Sequence, residues 1–409
     1  MELMRVVFTT KSTVFGAALA SAALMLPSVQ IAYADAAPEQ GIVSLKYLNY
    51  HDSQSGDTAE TAGLTRDRIT VNALSVMGMV PIAGKWSVTT TLIEDSITGA
   101  SPAYHSSGFP ATSTGHDGTS GASGELRHAG DISVTRYFQR GTLTAGINYS
   151  KESDYISKGG SLQGSLSTEN KNTTFTLGTS YNSDTIDLNR SNVVLSKQKV
   201  DPEKKQVIAG LFGVTQVMSK NDIVQMNFGY THGHGYYTDP YKDPDIRPDK
   251  KNMFTVLTRW NHHFDGPDGT SRLSYRYYSD NFGIRAHTVD AEYVQPLPKG
   301  WTVTPLFRLH SQSAADFYLP VGAVEQHNPQ IYTQPPAGAL YYSEDQRLSA
   351  FGALTLGVKV SKELGREWLA DVKYEHYEQR YNWCINGNGD PGVATFNIRS
   401  VQLGVSRKF

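Results

Sequence analysis

The stretch Gly266-Pro267-Asp268-Gly269-Thr270-Ser271-Arg272-Leu273-Ser274-Tyr275-Arg276-Tyr277-Tyr278 decides the fold. Its first four residues are turn formers. Leu273, Tyr275 and Tyr277 then alternate with Arg272, Ser274, Arg276 and Tyr278. Period-two alternation gives a strand one apolar face and one polar face. The same pattern recurs outward from this point. Trp86, Val88 and Leu92 alternate with Ser87, Thr89, Thr91 and Asp95, and Leu143, Ala145, Ile147 and Tyr149 with Thr144, Asn148 and Ser150. Phe175, Leu177 and Tyr181 alternate with Thr174, Thr176, Ser180 and Asn182.

Composition narrows the alternatives. In 409 residues, Lys+Arg number 37 and Asp+Glu 39, a net charge of −2 without the basic excess of a nucleic-acid binder. Aromatics make up 11%, with 23 Tyr, too many for a disordered chain. The single cysteine, Cys384, excludes a disulfide framework or a thiolate metal cluster built from this chain alone. No apolar run after residue 34 is long enough for a membrane-spanning helix. The chain reads as all-β.

Residues 1–34 read as an address. Arg5 and Lys11 precede an apolar run from Val14 to Leu26, and Ala32-Tyr33-Ala34 offers a small-x-small cleavage site. A cleaved N-terminal signal peptide at 1–34 and one domain at 35–409 are expected.

A soluble sandwich would share the alternation, and the connections separate the two. Pro81-Ile82-Ala83-Gly84, Gln139-Arg140-Gly141, Ser219-Lys220-Asn221-Asp222 and Lys362-Glu363-Leu364-Gly365 are tight. Residues 97–124, 154–168, 235–249 and 313–345 read as long, Gly/Ser/Pro-rich loops. Short and long connections nearly alternate, as in a transmembrane antiparallel β-barrel. The alternation fails between strands 170–182 and 205–217. A turn at Asn182-Ser183-Asp184 and a weak strand over 185–197 restore it, bringing the expected count to about 16 with both termini periplasmic. Closure pairs every backbone amide within the protein, which lipid demands. Tyr47, Trp86, Tyr137, Tyr149, Trp260, Trp301 and Trp368 are expected in aromatic girdles. The ending Val401-Gln402-Leu403-Gly404-Val405-Ser406-Arg407-Lys408-Phe409 resembles the strand read by barrel-assembly machinery, with Arg407 departing from the pattern.

Several motifs resemble one family of proteobacterial outer-membrane proteins catalogued as a domain of unknown function. They include Asp95-Ser96-Ile97-Thr98-Gly99-Ala100-Ser101-Pro102, Gly235-Tyr236-Tyr237-Thr238-Asp239-Pro240-Tyr241-Lys242, Arg276-Tyr277-Tyr278-Ser279-Asp280 and Asp345-Gln346-Arg347-Leu348-Ser349. The resemblance covers nearly all of 35–409 and implies an outer-membrane barrel in a Gram-negative bacterium. Members are described beside thioredoxin-like proteins, small lipoproteins and flavin-attaching transferases, which implies an envelope redox partner. It carries no catalytic residues.

Phase assigns the charged residues to the lumen: Arg68, Asp95, Glu152, Arg259, Arg272, Arg276, Asp280, Asp290, Glu292, Arg308, His310, Gln312, Arg347, Lys359, Asp371, Lys373 and Glu375. An Arg or Lys facing lipid at mid-depth would cost about 2–4 kcal/mol. With both signs present in similar numbers, a polar, cross-linked wall is expected rather than a field of one sign. The plainer reading is a hydrated wall. The sharper one is a solute-binding constriction of Arg276, Asp280, Arg308, His310 and Asp316. Asp239-Pro240-Tyr241-Lys242 reads as a stiff outer-loop motif, either solvated or folded inward. His232 and His234 share a face, but it is the apolar phase of Val224, Met226 and Phe228, so they read as interface residues and not metal ligands. Tyr230-Thr231-His232-Gly233-His234 faintly resembles an outer-membrane phospholipase segment and lacks its nucleophilic Ser. No metal or cofactor site is expected. A passive channel or transport component is the first expectation, a scaffold for redox partners the second, and a barrel-borne hydrolase a weaker third.

Overall fold

Alternating side chains become a closed surface only if every strand finds two partners. A computed structural model describes residues 37–55, 67–99, 125–187, 201–239, 245–320, 336–385, 387, 389–391, 393 and 395–409. The signal-peptide expectation at 1–34 lies outside them.

The strands are β1 (Ile42–Ser55), β2 (Asp67–Ile82), β3 (Trp86–Gly99), β4 (Glu125–Phe138), β5 (Gly141–Lys151) and β6 (Tyr155–Ser167). Then come β7 (Thr173–Ile186), β8 (Glu203–Val217), β9 (Asp222–Gly235), β10 (Asp245–Ile246), β11 (Lys250–Phe264) and β12 (Gly269–Asp280). The last are β13 (Arg285–Leu297), β14 (Trp301–Gln312), β15 (Tyr342–Ser343), β16 (Phe351–Leu364), β17 (Trp368–Arg380) and β18 (Thr395–Lys408). All except β10 and β15 form one closed antiparallel barrel of sixteen strands, and those two pair with each other outside it. The seam joins β1 to β18: Ser44 Oγ donates to Ser406 Oγ at 2.7 Å, and Gly41 and Phe409 exchange backbone bonds at 2.9 and 3.0 Å. A Cβ at Gly41 would meet the Phe409 ring at 2.6 Å, so glycine permits this closure.

The two faces separate as the alternation requires. Leu92, Ile147, Leu162, Leu177, Ile208, Leu309, Leu356 and Leu403 lie exposed on the outside, Leu177 with 70% of its surface uncovered. A ring of exposed aliphatics on every side is the exterior of a membrane-spanning barrel. Trp86, Trp260, Trp301 and Trp368 all sit at the tight-turn end, facing outward. Arg136, Lys362 and Arg407 lie over Trp86, Trp301 and Trp368, at 4.7, 5.0 and 5.3 Å from the ring centroids. Indoles capped by long cations are suited to a lipid–water interface. Tyr137 departs from the girdle expectation. It faces inward, 9% exposed, with its hydroxyl 3.1 Å from Ser87 Oγ.

Two expectations about strands are corrected. Residues 154–168 are not a long loop: β6 occupies 155–167 and pairs along its length with β5 and β7. Asn182-Ser183-Asp184 is not a turn: β7 runs through it to Ile186 and pairs directly with β8, while residues 188–197 of the expected extra strand lie outside the described residues. The two errors cancel, which leaves the expected count of sixteen intact.

Candidate functional site: a charged lumen wall beneath an ordered cap

Antiparallel register places inward residues in rows. One row runs Gln225, Arg259, Ser274, Asp290, Arg308, Thr355 and Tyr377 across β9 to β17. The next row toward the long-loop end carries Arg276, Thr288, His310, Ala353 and Gln379. Arg308 Nε donates to Asp290 Oδ1 at 2.5 Å, and Ser274 Oγ donates to Asp290 at 3.3 Å. Arg272 and Glu292 lie 3.8 Å apart, Lys359 and Asp371 3.7 Å, and Lys373 and Glu375 3.0 Å. His310 Nδ1 is 2.9 Å from Thr288 Oγ1, and its Nε2 is 3.4 Å from Gln312 Oε1. Arg276 faces inward and is exposed, so water reaches the wall at this height.

The five residues expected to form one constriction are therefore divided. Arg276, Arg308 and His310 share the wall on two adjacent rows of β12 and β14, with β13 between them. Asp280, higher on the same face, is taken by Lys251 Nζ at 2.9 Å and by the Tyr278 hydroxyl at 2.6 Å. Asp316 lies beyond the wall, where its N–H donates to Phe282 O at 2.8 Å. Arg347 also leaves the lumen set and belongs to the connection before β16. The side chain of Arg68 lies outside the described residues.

At the long-loop end the β9–β11 and β14–β16 connections pack over the mouth. Tyr155, Ile186, Tyr237, Phe282, Ile284, Ala315 and Leu348 form a buried apolar cluster, with Tyr236, Tyr278, Phe317 and Tyr318 against it. Tyr155 and Ile186 end the inward faces of β6 and β7, so the cluster closes on the lumen side of the wall. A Cβ at Gly233 would meet the Tyr237 hydroxyl at 1.8 Å, so this wall is thinned to receive the ring. Two buried cations complete the rim. Lys205 pairs with Asp184 at 3.0 Å between the rings of Tyr155 and Tyr237, and Lys251 lies 4.5 Å from the Phe282 centroid. Gln312 Nε2 ties the cap to the wall by donating to the carbonyls of Arg347 and Ser349 at 3.0 and 2.8 Å.

An ionic network locks the two connections together. Arg247 forks onto Asp245 (Nε 2.9 Å, Nη2 2.7 Å) and reaches Asp345 at 2.7 Å. Arg347 donates through Nε to Asp345 Oδ1 at 2.7 Å, through Nη2 to Asp345 Oδ2, and to Asp239 at 2.5 Å. The Ser343 hydroxyl donates to Asp245 at 2.5 Å and accepts from the Asp345 N–H at 3.1 Å. Burial pushes the Asp245 carboxyl up despite the Arg247 guanidinium. Burial pulls Arg247 and Arg347 down, but the carboxylates outweigh it and both end above the ordinary arginine value. Of the motif Asp239-Pro240-Tyr241-Lys242, only Asp239 is described, buried in this network; Pro240, Tyr241 and Lys242 lie outside the described residues. The network itself was not read from sequence, although Asp345-Gln346-Arg347 carries an Asx-turn signal: Asp345 Oδ1 accepts from Arg347 N–H at 3.0 Å.

His232 and His234 are exposed on the outward face, with His232 Nδ1 2.6 Å from Asn252 Oδ1. Among the described residues no group of His, Cys, Asp and Glu is placed to hold a metal. The Cys384 thiol donates to the Gly387 carbonyl.

A closed ring with an apolar exterior, a polar interior and an ordered cap defines a membrane-spanning β-barrel. The chain belongs to the family described as "Protein of unknown function (DUF3570)", whose model matches residues 16–400. A search of curated proteins gave no match. Among solved structures, a bacterial polysaccharide outer membrane secretin matches at 9% identity and TM-score 0.49, covering 90% of this chain and 98% of that one. The siderophore receptor PirA from Pseudomonas aeruginosa matches at 8% identity and TM-score 0.42, covering 90% and 80%. Pseudomonas aeruginosa OccD3 (OpdP) matches at 9% identity and TM-score 0.40, covering 91% and 92%.

Proposed function

We propose that the protein is a passive channel or transport component of the Gram-negative outer membrane. In this reading both termini and the tight turns face the periplasm, the cap faces outward, and the strand ending at Phe409 is read by the barrel-assembly machinery. The observation that carries the reading is Arg276, inward and exposed about two-thirds of the way along β12 in the wall of a sixteen-strand ring. A ring of this size leaves an aqueous channel unless loops fill it. Arg276, Arg308 and His310 form the constriction in this reading, and Asp280 and Asp316 support the cap above it.

Purified protein in planar bilayers tests the proposal. Discrete conductance steps are expected, with larger steps when the cap is loosened by Arg347→Ala. The cap favours one second reading, a barrel whose covered mouth serves as a scaffold for envelope redox partners. Silence of both proteins in the bilayer, with co-purification of a thioredoxin-like or flavin-carrying protein, would replace the channel by the scaffold.

A further inference from the structure

The charged residues of the lumen are not spread evenly around it. On β5 to β9, below the cap, the inward side chains are uncharged: hydrogen-bonding groups such as Thr144, Asn148, Gln163, Ser180 and Asn227, small residues, and the apolar Val207 and Leu211 of β8. On β11 to β14 the inward rows below the cap carry Arg259, Arg272, Arg276 and Arg308 against two carboxylates, Asp290 and Glu292. Whichever guanidinium each carboxylate satisfies, this quarter of the wall keeps a positive excess. The adjoining β16 and β17 add no sign, because Lys359 and Lys373 are matched by Asp371 and Glu375. On β3 and β4, across the ring, Asp95 is paired with Arg127 at 2.7 Å, and Asp131 stands close to mid-strand. β1 also adds no sign, because its inward Lys46 is matched in number by the buried Asp52. The potential therefore falls across the lumen, from the arginines toward β3 and β4. Low-dielectric walls concentrate such a field in the water between them.

We propose, resting on the channel reading, that the lumen selects small anionic solutes bearing a carboxylate or phosphate group, held in passing by the β11–β14 arginines. A guanidinium presents a planar fork of donors that matches two oxygens of either group, which an ammonium does not. Arg276 is exposed to the lumen, and beside it on the same row Thr288 is buried with its hydroxyl held by His310 at 2.9 Å, so the guanidinium is the group presented at this height. The solute's neutral polar remainder faces the hydroxyls and amides of β5–β9. The overall counts of the two signs are similar, and the selectivity proposed here rests on their placement around the ring.

The test uses the full-length protein in planar bilayers under a KCl gradient, with inorganic phosphate as the probe. The wild type is expected to show a reversal potential on the chloride side and a current reduced by phosphate. In R259Q/R276Q the chloride-over-potassium permeability ratio falls roughly twofold or more and phosphate no longer blocks. Q163E, an isosteric change that adds an acid to the neutral wall, lowers the same ratio and covers the case in which the double variant fails to fold. Conducting pores with a potassium-side potential, or with a ratio unmoved by Q163E and by a folded R259Q/R276Q, overturn the anion assignment and leave the channel standing. Absence of conductance in the wild type and in Arg347→Ala overturns the channel reading and this inference with it.

Discussion

Arg347, on the β14–β16 connection, donates through Nη2 to Asp239 of the β9–β11 connection at 2.5 Å, across 108 positions of sequence. The same guanidinium holds Asp345, which is fully buried. This bond joins two loops into one cap.

Removing one partner of a buried ion pair strands the other charge, at a cost of about 3–5 kcal/mol. Arg347→Ala is therefore expected to unfasten the cap without opening the ring. Amide hydrogen exchange should accelerate at 236–239 and 342–349 while β1–β5 stay protected. Arg347→Lys should recover only part of the protection, because an ammonium cannot fork onto Asp345 and Asp239 together. Unchanged exchange in Arg347→Ala would show that the network does not hold the cap.

Lys205 and Asp184 are both buried, 3.0 Å apart, at the rim beneath Tyr237. Lys205→Met alone should destabilise by about 3–5 kcal/mol in urea unfolding from lipid vesicles. Lys205→Met with Asp184→Leu should return close to the wild-type midpoint, since matched apolar groups replace a desolvated pair. Additive losses in the double variant would contradict this reading of the pair.

Tyr236, in the cap, has its phenol pushed from the ordinary 10 up to about 12, first by burial and then by the Asp239 carboxylate. The folded cap holds this proton more tightly than the unfolded chain does. Its contribution is thus intact below pH 10 and is lost as pH rises through 12. Tyrosinate absorbance should show a late-titrating phase coincident with faster exchange in the cap, and Tyr236→Phe should move that cap transition to higher pH. A cap transition centred near pH 10 would remove Tyr236 from this role.

Gly283 adopts φ +91°, and a Cβ there would meet Asp316 Oδ1 at 2.2 Å. It lets the β12–β13 turn tuck Phe282 into the cap core. Gly283→Ala should cost about 1–3 kcal/mol, confined to the cap. Urea unfolding of the ring should keep its midpoint while exchange rises at Phe282 and Ile284. A shift of the whole transition would show that ring and cap unfold together.

The ring was legible in the sequence because the exterior of most of its strands is apolar at alternate residues. It failed where that contrast fades. In β6 the residues Gly159, Gly160 and Gly164 read as loop, yet Gly159 is there because a Cβ would fall 1.9 Å from Asn182 Oδ1 on the next strand. Ile186 suggested a further strand, but its apolarity serves the cap core, where it is 2% exposed. Tyr137 looked like an interface aromatic because its neighbours Arg136 and Phe138 hide which phase faces lipid. The constriction was only partly legible. Arg276, Arg308 and His310 follow from phase alone, whereas the partners of Asp280, Asp316 and Arg347 depend on loops that meet over long separations.

The whole account rests on Leu177 and Leu403 facing lipid while their neighbours Thr176 and Gln402 face water. In a Cys384→Ser background, single cysteines at these four positions can carry a fluorophore in vesicles containing brominated lipid. The account predicts strong quenching at 177 and 403, weak quenching at 176 and 402, and aqueous-quencher access in the reverse order. Equal quenching at neighbouring positions would contradict a lipid-embedded barrel and everything built on it.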